Sequence, residues 1–435
     1  MRLSVLACLS ILATTHANAG SFEDLFRVAQ RHDAVFAAAQ AQYQADSEHR
    51  VIGRAGLYPS VSLSASLAHN ETRRSDNTTP GVTNKFDYDN QSVALRLTQP
   101  LYDLERWSLW REGDTRARLA EVAWAEAKQD LALRYAQAYF DYLLARDTLE
   151  LARAQKAAIA AQKEQAENLF KGGSATITDI EETKARLQLA EAGELAAGNA
   201  VSNRQRELER LVGRLPGTPA TVGAFKAVGP EPADLDAWRG RARDNNPAVN
   251  AQRLAEAIAG HQVERARAGH YPSAALVVNA QAASEPNYFT HKDASGSIGV
   301  QVSLPLYEGG RVVAQSRQAL AARERARHEL ESALREAEVK ASQYFLDLQN
   351  GIAQIQALEA ARRSSEIALE GMLAGQKVGM RTNTDVLNAQ QQLYDVRRNL
   401  QKERYAYLIS RMRLQAVVGG LGEEEVARVD TLLAQ

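Results

Sequence analysis

Ala55-Gly56-Leu57-Tyr58-Pro59-Ser60-Val61-Ser62-Leu63 returns as Ala268-Gly269-His270-Tyr271-Pro272-Ser273-Ala274-Ala275-Leu276, an offset of 213 residues between Pro59 and Pro272. Gln99-Pro100-Leu101-Tyr102 returns as Leu304-Pro305-Leu306-Tyr307, where the offset has become 205. From there the spacing holds: Tyr139-Phe140 matches Tyr344-Phe345 at 205, and Thr176-Ile177-Thr178-Asp179-Ile180 matches Thr382-Asn383-Thr384-Asp385-Val386 at 206. Leu211-Val212-Gly213 matches Val417-Val418-Gly419, also at 206. Landmarks in one order, with one large shift and otherwise constant to within a residue, define a duplicated unit of roughly 200 residues, too long for a solenoid repeat and the size of two fused structural halves. The halves are read as 20–225 and 226–422, with 423–435 a C-terminal tail.

Each half has the same plan: a helical segment (about 22–54; about 232–267), a Tyr-Pro-Ser entry, two strands and a very long helical tract. Strands are expected over about 57–70, 85–99, 271–284 and 295–304. Val61, Leu63, Ala65 and Leu67 share one face against Ser62, Ser64 and Ser66, and Val93, Leu95 and Leu97 oppose Ala94, Arg96 and Thr98. Ile298, Val300, Val302 and Leu304 oppose Gly299, Gln301 and Ser303, while the strand after Pro272 alternates less cleanly. The polar, breaker-rich segments 70–84 and 283–296 read as hairpin loops.

Strands of about 10 residues match a tilted membrane crossing. Four of them cannot close a barrel with a lumen, for which about 8 is the lower limit. Several chains must then contribute to one barrel. No apolar run of 18 residues follows the N-terminal segment, so a spanning helix is not expected.

No proline occurs between Pro100 and Pro216 or after Pro305, which leaves two tracts free of helix breakers. They are expected to fold as helical hairpins over about 103–213 and 308–418. The first breaks at Lys171-Gly172-Gly173-Ser174 and the second at Gly375 to Gly379, each followed by Thr-x-Thr-Asp with a Thr or Asp as helix cap. From Leu104 to Phe170 the rise is roughly 100 Å at about 1.5 Å per residue, far more than a globular core needs. Small residues such as Ala154, Ala157, Ala158 and Ala161, with Gln155, Gln162 and Gln165 among them, suit close helix approach in a wall more than a Leu-rich solid rod.

Residues 1–19 carry Arg2, an apolar run and Ala17-Asn18-Ala19 before Gly20, the pattern of a secretory signal peptide. The only cysteine is Cys8; as a lipidation site it is disfavoured, because the apolar stretch before it is too short. Without it no disulfide, thiol nucleophile or cysteine metal site is expected. A net charge of −1, evenly distributed, gives no indication of a nucleic-acid partner. The histidines show no ligand spacing, and neither a nucleophile elbow nor a phosphate loop is present. No enzyme, cofactor or metal is expected.

Tyr-Pro-Ser opening a strand, Thr98-Gln99-Pro100-Leu101-Tyr102 ending a hairpin, Gly-x-x-Thr-x-Thr-Asp at both helix turns and Val418-Gly419-Gly420-Leu421-Gly422 near the end together resemble the TolC family of outer-membrane export channels, closest in style to members serving type I protein secretion. The resemblance implies a mainly α fold with a membrane β-barrel contribution: a homotrimer sharing a twelve-stranded barrel in outer-membrane lipid and a twelve-helix periplasmic tunnel. It implies a periplasmic adaptor (membrane fusion) protein and an inner-membrane ABC or proton-driven transporter as partners. Its cargo, secreted proteins or small molecules, is set by the pump.

The resemblance also assigns residues. Arg381 matches a gate arginine that bonds the Thr-Asp of the first turn, here Thr178 and Asp179; a partner tyrosine usually sits where this chain has Gln376. The type member of the family carries two constriction aspartates one helical turn apart, positions that are here Asp385 and Asn388. Asp385 read by itself is a helix N-terminal residue. Gly173, Ser174, Ala175 and Thr176, with Gly379, Met380, Arg381 and Thr382, match the adaptor-docking turns. The rival to this channel is a non-pore periplasmic coiled-coil scaffold or adaptor, which the alternating strands disfavour.

Overall fold

The computed structural model describes residues 21–75, 83–173, 175–215, 227–286 and 290–433. The expected signal segment, Cys8 and Ser174 lie outside these residues. In chain order the elements are α1 (Phe22–His32), α2 (Ala34–Ser47), α3 (His49–Ala55), β1 (Ser60–Ser75), β2 (Thr83–Tyr102), α4 (Leu104–Lys171) and α5 (Ile177–Val212). The second half adds α6 (Leu235–Asn245), α7 (Pro247–Ala268), β3 (Ser273–Pro286), β4 (Thr290–Ser303), α8 (Arg311–Lys377), α9 (Asn383–Val417) and α10 (Glu423–Leu433). The fold is mainly helical with one four-stranded antiparallel sheet. No described helix is long and apolar enough to cross a membrane.

The described residues form two compact units, one within Met1–Gln40, Ala125–Pro247 and Arg335–Gln435, the other within Ala41–Trp124 and Ala248–Leu334. Each draws on both sequence halves, so the duplication is interleaved.

The first unit is helical. Phe22, Tyr135, Tyr139 and Phe140 are fully buried, and Phe22 stacks on Phe140 at 5.4 Å while Tyr135 Oη donates to Phe22 O at 2.7 Å. Aromatic pairs in these geometries add stabilisation beyond their buried area. The segment read as a C-terminal tail is α10, whose Val426, Val429 and Leu433 are buried. The pattern was legible: those residues recur at helical spacing. Asp430 of α10 accepts the Phe22 N–H at 2.8 Å, occupying one of the donors that α1 cannot pair internally. The first helical segment is broken at Asp33, whose carboxylate accepts from Phe36 N at 3.0 Å and from Arg134 at 2.8 Å.

The second unit holds the sheet and the helices that flank it in sequence. Backbones of α3 and α4 nearly touch: a Cβ on Gly113 would lie 2.4 Å from His49 O, and one on Gly53 would lie 2.9 Å from Leu109 O. Only glycine allows this approach. The buried Glu112 is held by Arg116 at 2.7 Å and Arg265 at 3.1 Å, since a carboxylate out of water needs such partners.

The strands run past the expected loops. β1 continues to Ser75 and β2 starts at Thr83, pairing Glu71 with Asp87 and Arg73 with Lys85; β3 and β4 pair as far as Pro286 and Thr290. Ladder hydrogen bonds are made by the backbone, so polar side chains do not end a hairpin. At the other end β2 reaches Tyr102 while β4 stops at Ser303, one residue short of the expected Leu304. Pro100, which cannot donate, sits at a register shift beyond the end of the β1 pairing. Gln99 compensates there, donating to Leu57 O at 3.0 Å.

Candidate functional site

The two helix turns are built alike. Gly173 and Gly379 have φ of 75° and 74°, the left-handed conformation that closes a helix C-terminus. At the second, Met380 N donates to Gly375 O at 2.9 Å and Gly379 N to Gln376 O at 3.0 Å. Gly375 itself lies within α8, which runs to Lys377, so the break is later than the glycines suggest. A Cβ on Gly375 would come 2.8 Å from Arg381 Cγ; the glycine makes room for the arginine stem.

Thr176 and Thr382 then cap α5 and α9 with complete capping boxes. Thr382 N donates to the Asp385 carboxylate at 3.0 Å and Asp385 N to Thr382 Oγ1 at 3.2 Å. These bonds to Thr382, with Arg381 nearby, hold the Asp385 carboxyl below its usual range. Asp179 makes the same reciprocal pair with Thr176. The threonines are therefore the caps, and both aspartates sit three residues on.

A polar ladder joins α5 to α9. Asn383 Nδ2 donates to Thr183 Oγ1 at 2.7 Å, and that buried hydroxyl donates onward to Asp179 O at 2.7 Å. Thr384 Oγ1 donates to Glu182 at 2.7 Å; Arg186 binds Glu182 at 3.2 Å and donates to Asn388 Oδ1 at 2.8 Å. Gln376 Nε2 donates to Asn383 Oδ1 at 3.2 Å. Of the gate residues read from sequence, Gln376 enters this ladder through its side chain and Asp179 through its carbonyl; of the constriction pair, Asn388 enters it. Within one chain, Arg381 bonds neither Thr178 nor Asp179 among the described residues. Asn383 and Thr384 belong to the second Thr-x-Thr-Asp landmark, while Glu182, Thr183 and Arg186 follow the first within two turns; nothing local in sequence marks the pairing between the two sets, because the partners lie about 200 residues apart.

Around the turns, apolar side chains stand in solvent: Phe170, Ile177, Val378 and Met380, the last 77% exposed.

The sheet has one apolar and one polar face, fixed by register. Val61 opposes Leu97, which opposes Val278, which opposes Ile298; Leu63 opposes Leu95, and Leu276 opposes Val300. These side chains form a continuous band, with Leu63 71% and Ile298 74% exposed. A bare apolar patch of this kind marks an interaction or membrane surface. The less regular β3 joins the band through Leu276, Val278, Ala280 and Ala282. Tyr58, Tyr102, Tyr271 and Tyr307 all stand exposed where strands meet helices. Aromatic girdles flank the lipid band of membrane barrels, and the repeat landmarks Tyr-Pro-Ser and Pro-Leu-Tyr are these four residues.

A sheet with an exposed apolar face, carried on a chain with two long helical hairpins, defines the class of outer-membrane channel proteins. The chain belongs to the outer membrane efflux protein family, whose model matches residues 25–214 and 238–420. It is 32% identical over 417 residues to the alkaline protease secretion protein AprF of Pseudomonas aeruginosa, covering 93% of this chain and 86% of that protein. It is 31% identical over 419 residues to the outer membrane protein TolC of Vibrio cholerae, covering 95% and 93%. The fold matches the crystal structure of the outer membrane protein VceC of Vibrio cholerae with a TM-score of 0.79 at 20% identity, covering 92% of this chain and 97% of that one. Family and fold are those of transport channels, and the protein is an outer-membrane channel for export.

Proposed function

We propose that three copies of this chain close one twelve-stranded barrel in the outer membrane, and that their helical hairpins line a conduit through the periplasm. The observation that carries this reading is the sheet order β1-β2-β3-β4, which leaves β1 and β4 as open edges beside an apolar face. In lipid an unpaired edge costs several kcal/mol per group, so a four-stranded sheet must be closed by other copies. Identical chains around a rotation axis do this, β4 of one pairing β1 of the next. Each half, 20–225 and 226–422, then supplies two strands and one hairpin.

In this reading the chain is a passive conduit with no catalytic role. An inner-membrane ABC or proton-driven transporter supplies the energy, and a periplasmic adaptor docks on the apolar turns at Gly173 to Thr176 and Gly379 to Thr382. The polar ladder, with Arg381, Thr178, Asp179 and Gln376, holds the mouth closed, and Asp385 with Asn388 lines the constriction. The names of AprF and of the proteases secretion protein PrtF of Dickeya chrysanthemi, 32% identical over 422 residues, favour a secreted protein as cargo. The test is the mass of the protein extracted in detergent from outer membranes. A trimer is the expected result; a monomer overturns the shared barrel.

A further inference from the structure

We infer that Arg96 forms a ring of fixed positive charge inside the barrel, the point where anionic groups of a passing molecule meet the wall. The inference rests on the shared-barrel reading above. It starts from register: Arg96 lies directly opposite Ser62 on β1 and Asn279 on β3, and Asn279 lies opposite Ser297 on β4. Its neighbours Leu95 and Leu97 belong to the apolar band, so Arg96 is on the other face. Because the apolar band must meet lipid, the face bearing Arg96 meets the water-filled lumen.

That face is otherwise short and uncharged. From the level of Ser60, Thr98, Val277 and Gly299 outward, it passes through Ser64, Ala94, Gln281 and Ser295 before Asp293 appears, opposite Ala283. Arg96 is exposed, and among the described residues nothing hydrogen-bonds or ion-pairs with it. A guanidinium stays charged at any physiological pH. Asp293 lies four residues further along the ladder, about 14 Å at 3.4 Å per residue. That exceeds the Debye length of about 8 Å at 0.15 M salt, so the two charges act as separate rings of opposite sign. Rings of charged side chains set ion preference in pores, and threefold symmetry triples each charge.

The single cysteine of the sequence, Cys8, lies in the expected signal segment, so introduced thiols are read against the unsubstituted chain as blank. Arg96→Cys, Ser62→Cys and Leu95→Cys are labelled on intact cells with a membrane-impermeant maleimide, and Arg96→Glu is recorded in planar bilayers under a KCl gradient. The expected result is labelling at Arg96→Cys and Ser62→Cys with none at Leu95→Cys, and a reversal potential shifted toward cation preference in Arg96→Glu. Asp293→Ser should shift it the opposite way. Labelling at Ser62→Cys without Arg96→Cys, or an unmoved reversal potential in Arg96→Glu, overturns the charged ring while leaving the barrel intact. Labelling at Leu95→Cys to the extent of Ser62→Cys overturns the barrel reading itself.

Discussion

Tyr405 Oη donates to the carboxylate of Asp147 at 2.6 Å, joining α9 to α4 in a buried contact. Burial holds this carboxyl above the ordinary carboxylate range, against the opposing pull of the tyrosine hydrogen bond and of Arg146. A raised native pKa means that the group's contribution to stability is present in acid and lost as pH rises through that pKa.

Asp147→Asn should therefore raise the melting temperature at pH 7.5, because the amide oxygen still accepts from Tyr405 without a buried charge. The gain should shrink at pH 4. A difference of the same size at both values would show that ionisation of Asp147 is not what destabilises the native state.

Asn383→Ala removes the donor to Thr183 and the acceptor for Gln376. The loss should be about 1–2 kcal/mol of the contact that holds α9 to α5 and α8. If the ladder holds the mouth closed, single-channel conductance rises; unchanged conductance places the closure elsewhere.

Asp385→Ala should abolish block by multivalent cations if that carboxylate lines the constriction. On sequence alone, Asn388→Asp should strengthen block. Arg186 at 2.8 Å from Asn388 Oδ1 alters that expectation: the new carboxylate would pair with Arg186, and block should strengthen only in Asn388→Asp combined with Arg186→Gln. Stronger block in Asn388→Asp alone would mean that Arg186 does not neutralise it.

Gly113→Ala drives a methyl group into His49 O and should cost about 1–3 kcal/mol, as overpacking does. Gly193, also helical, has nothing within 4 Å of an added Cβ, so Gly193→Ala should instead gain up to about 1 kcal/mol from helix propensity. Thermal melts of the two variants in one detergent compare them directly.

Much of this was readable because it is repeated or periodic. The duplicated Tyr-Pro-Ser and Thr-x-Thr-Asp landmarks located the strand entries and the helix caps, and alternation separated Leu63 from Ser64. What escaped was non-local or carried by the backbone. Pairing of Glu71 with Asp87 extends a strand through residues whose composition reads as loop. The hydrogen bond between Thr183 and Asn383 spans 200 residues, and no pattern within either segment announces it. In sequence Arg96 simply shares a strand face with Ala94 and Thr98, and only the pairing of all four strands shows how alone it is.

The open edges of β1 and β4 bear on the life of the protein before it is mature. A lone copy in transit carries two unsatisfied rows of backbone groups, the template on which strands of any origin polymerise. Insertion one copy at a time would leave those rows in lipid, so folding of the sheet and recruitment of its neighbours should be a single concerted event, steeply dependent on local copy number. If three copies share one barrel, each newly exported chain has to be held unfolded or shielded until two others are at hand.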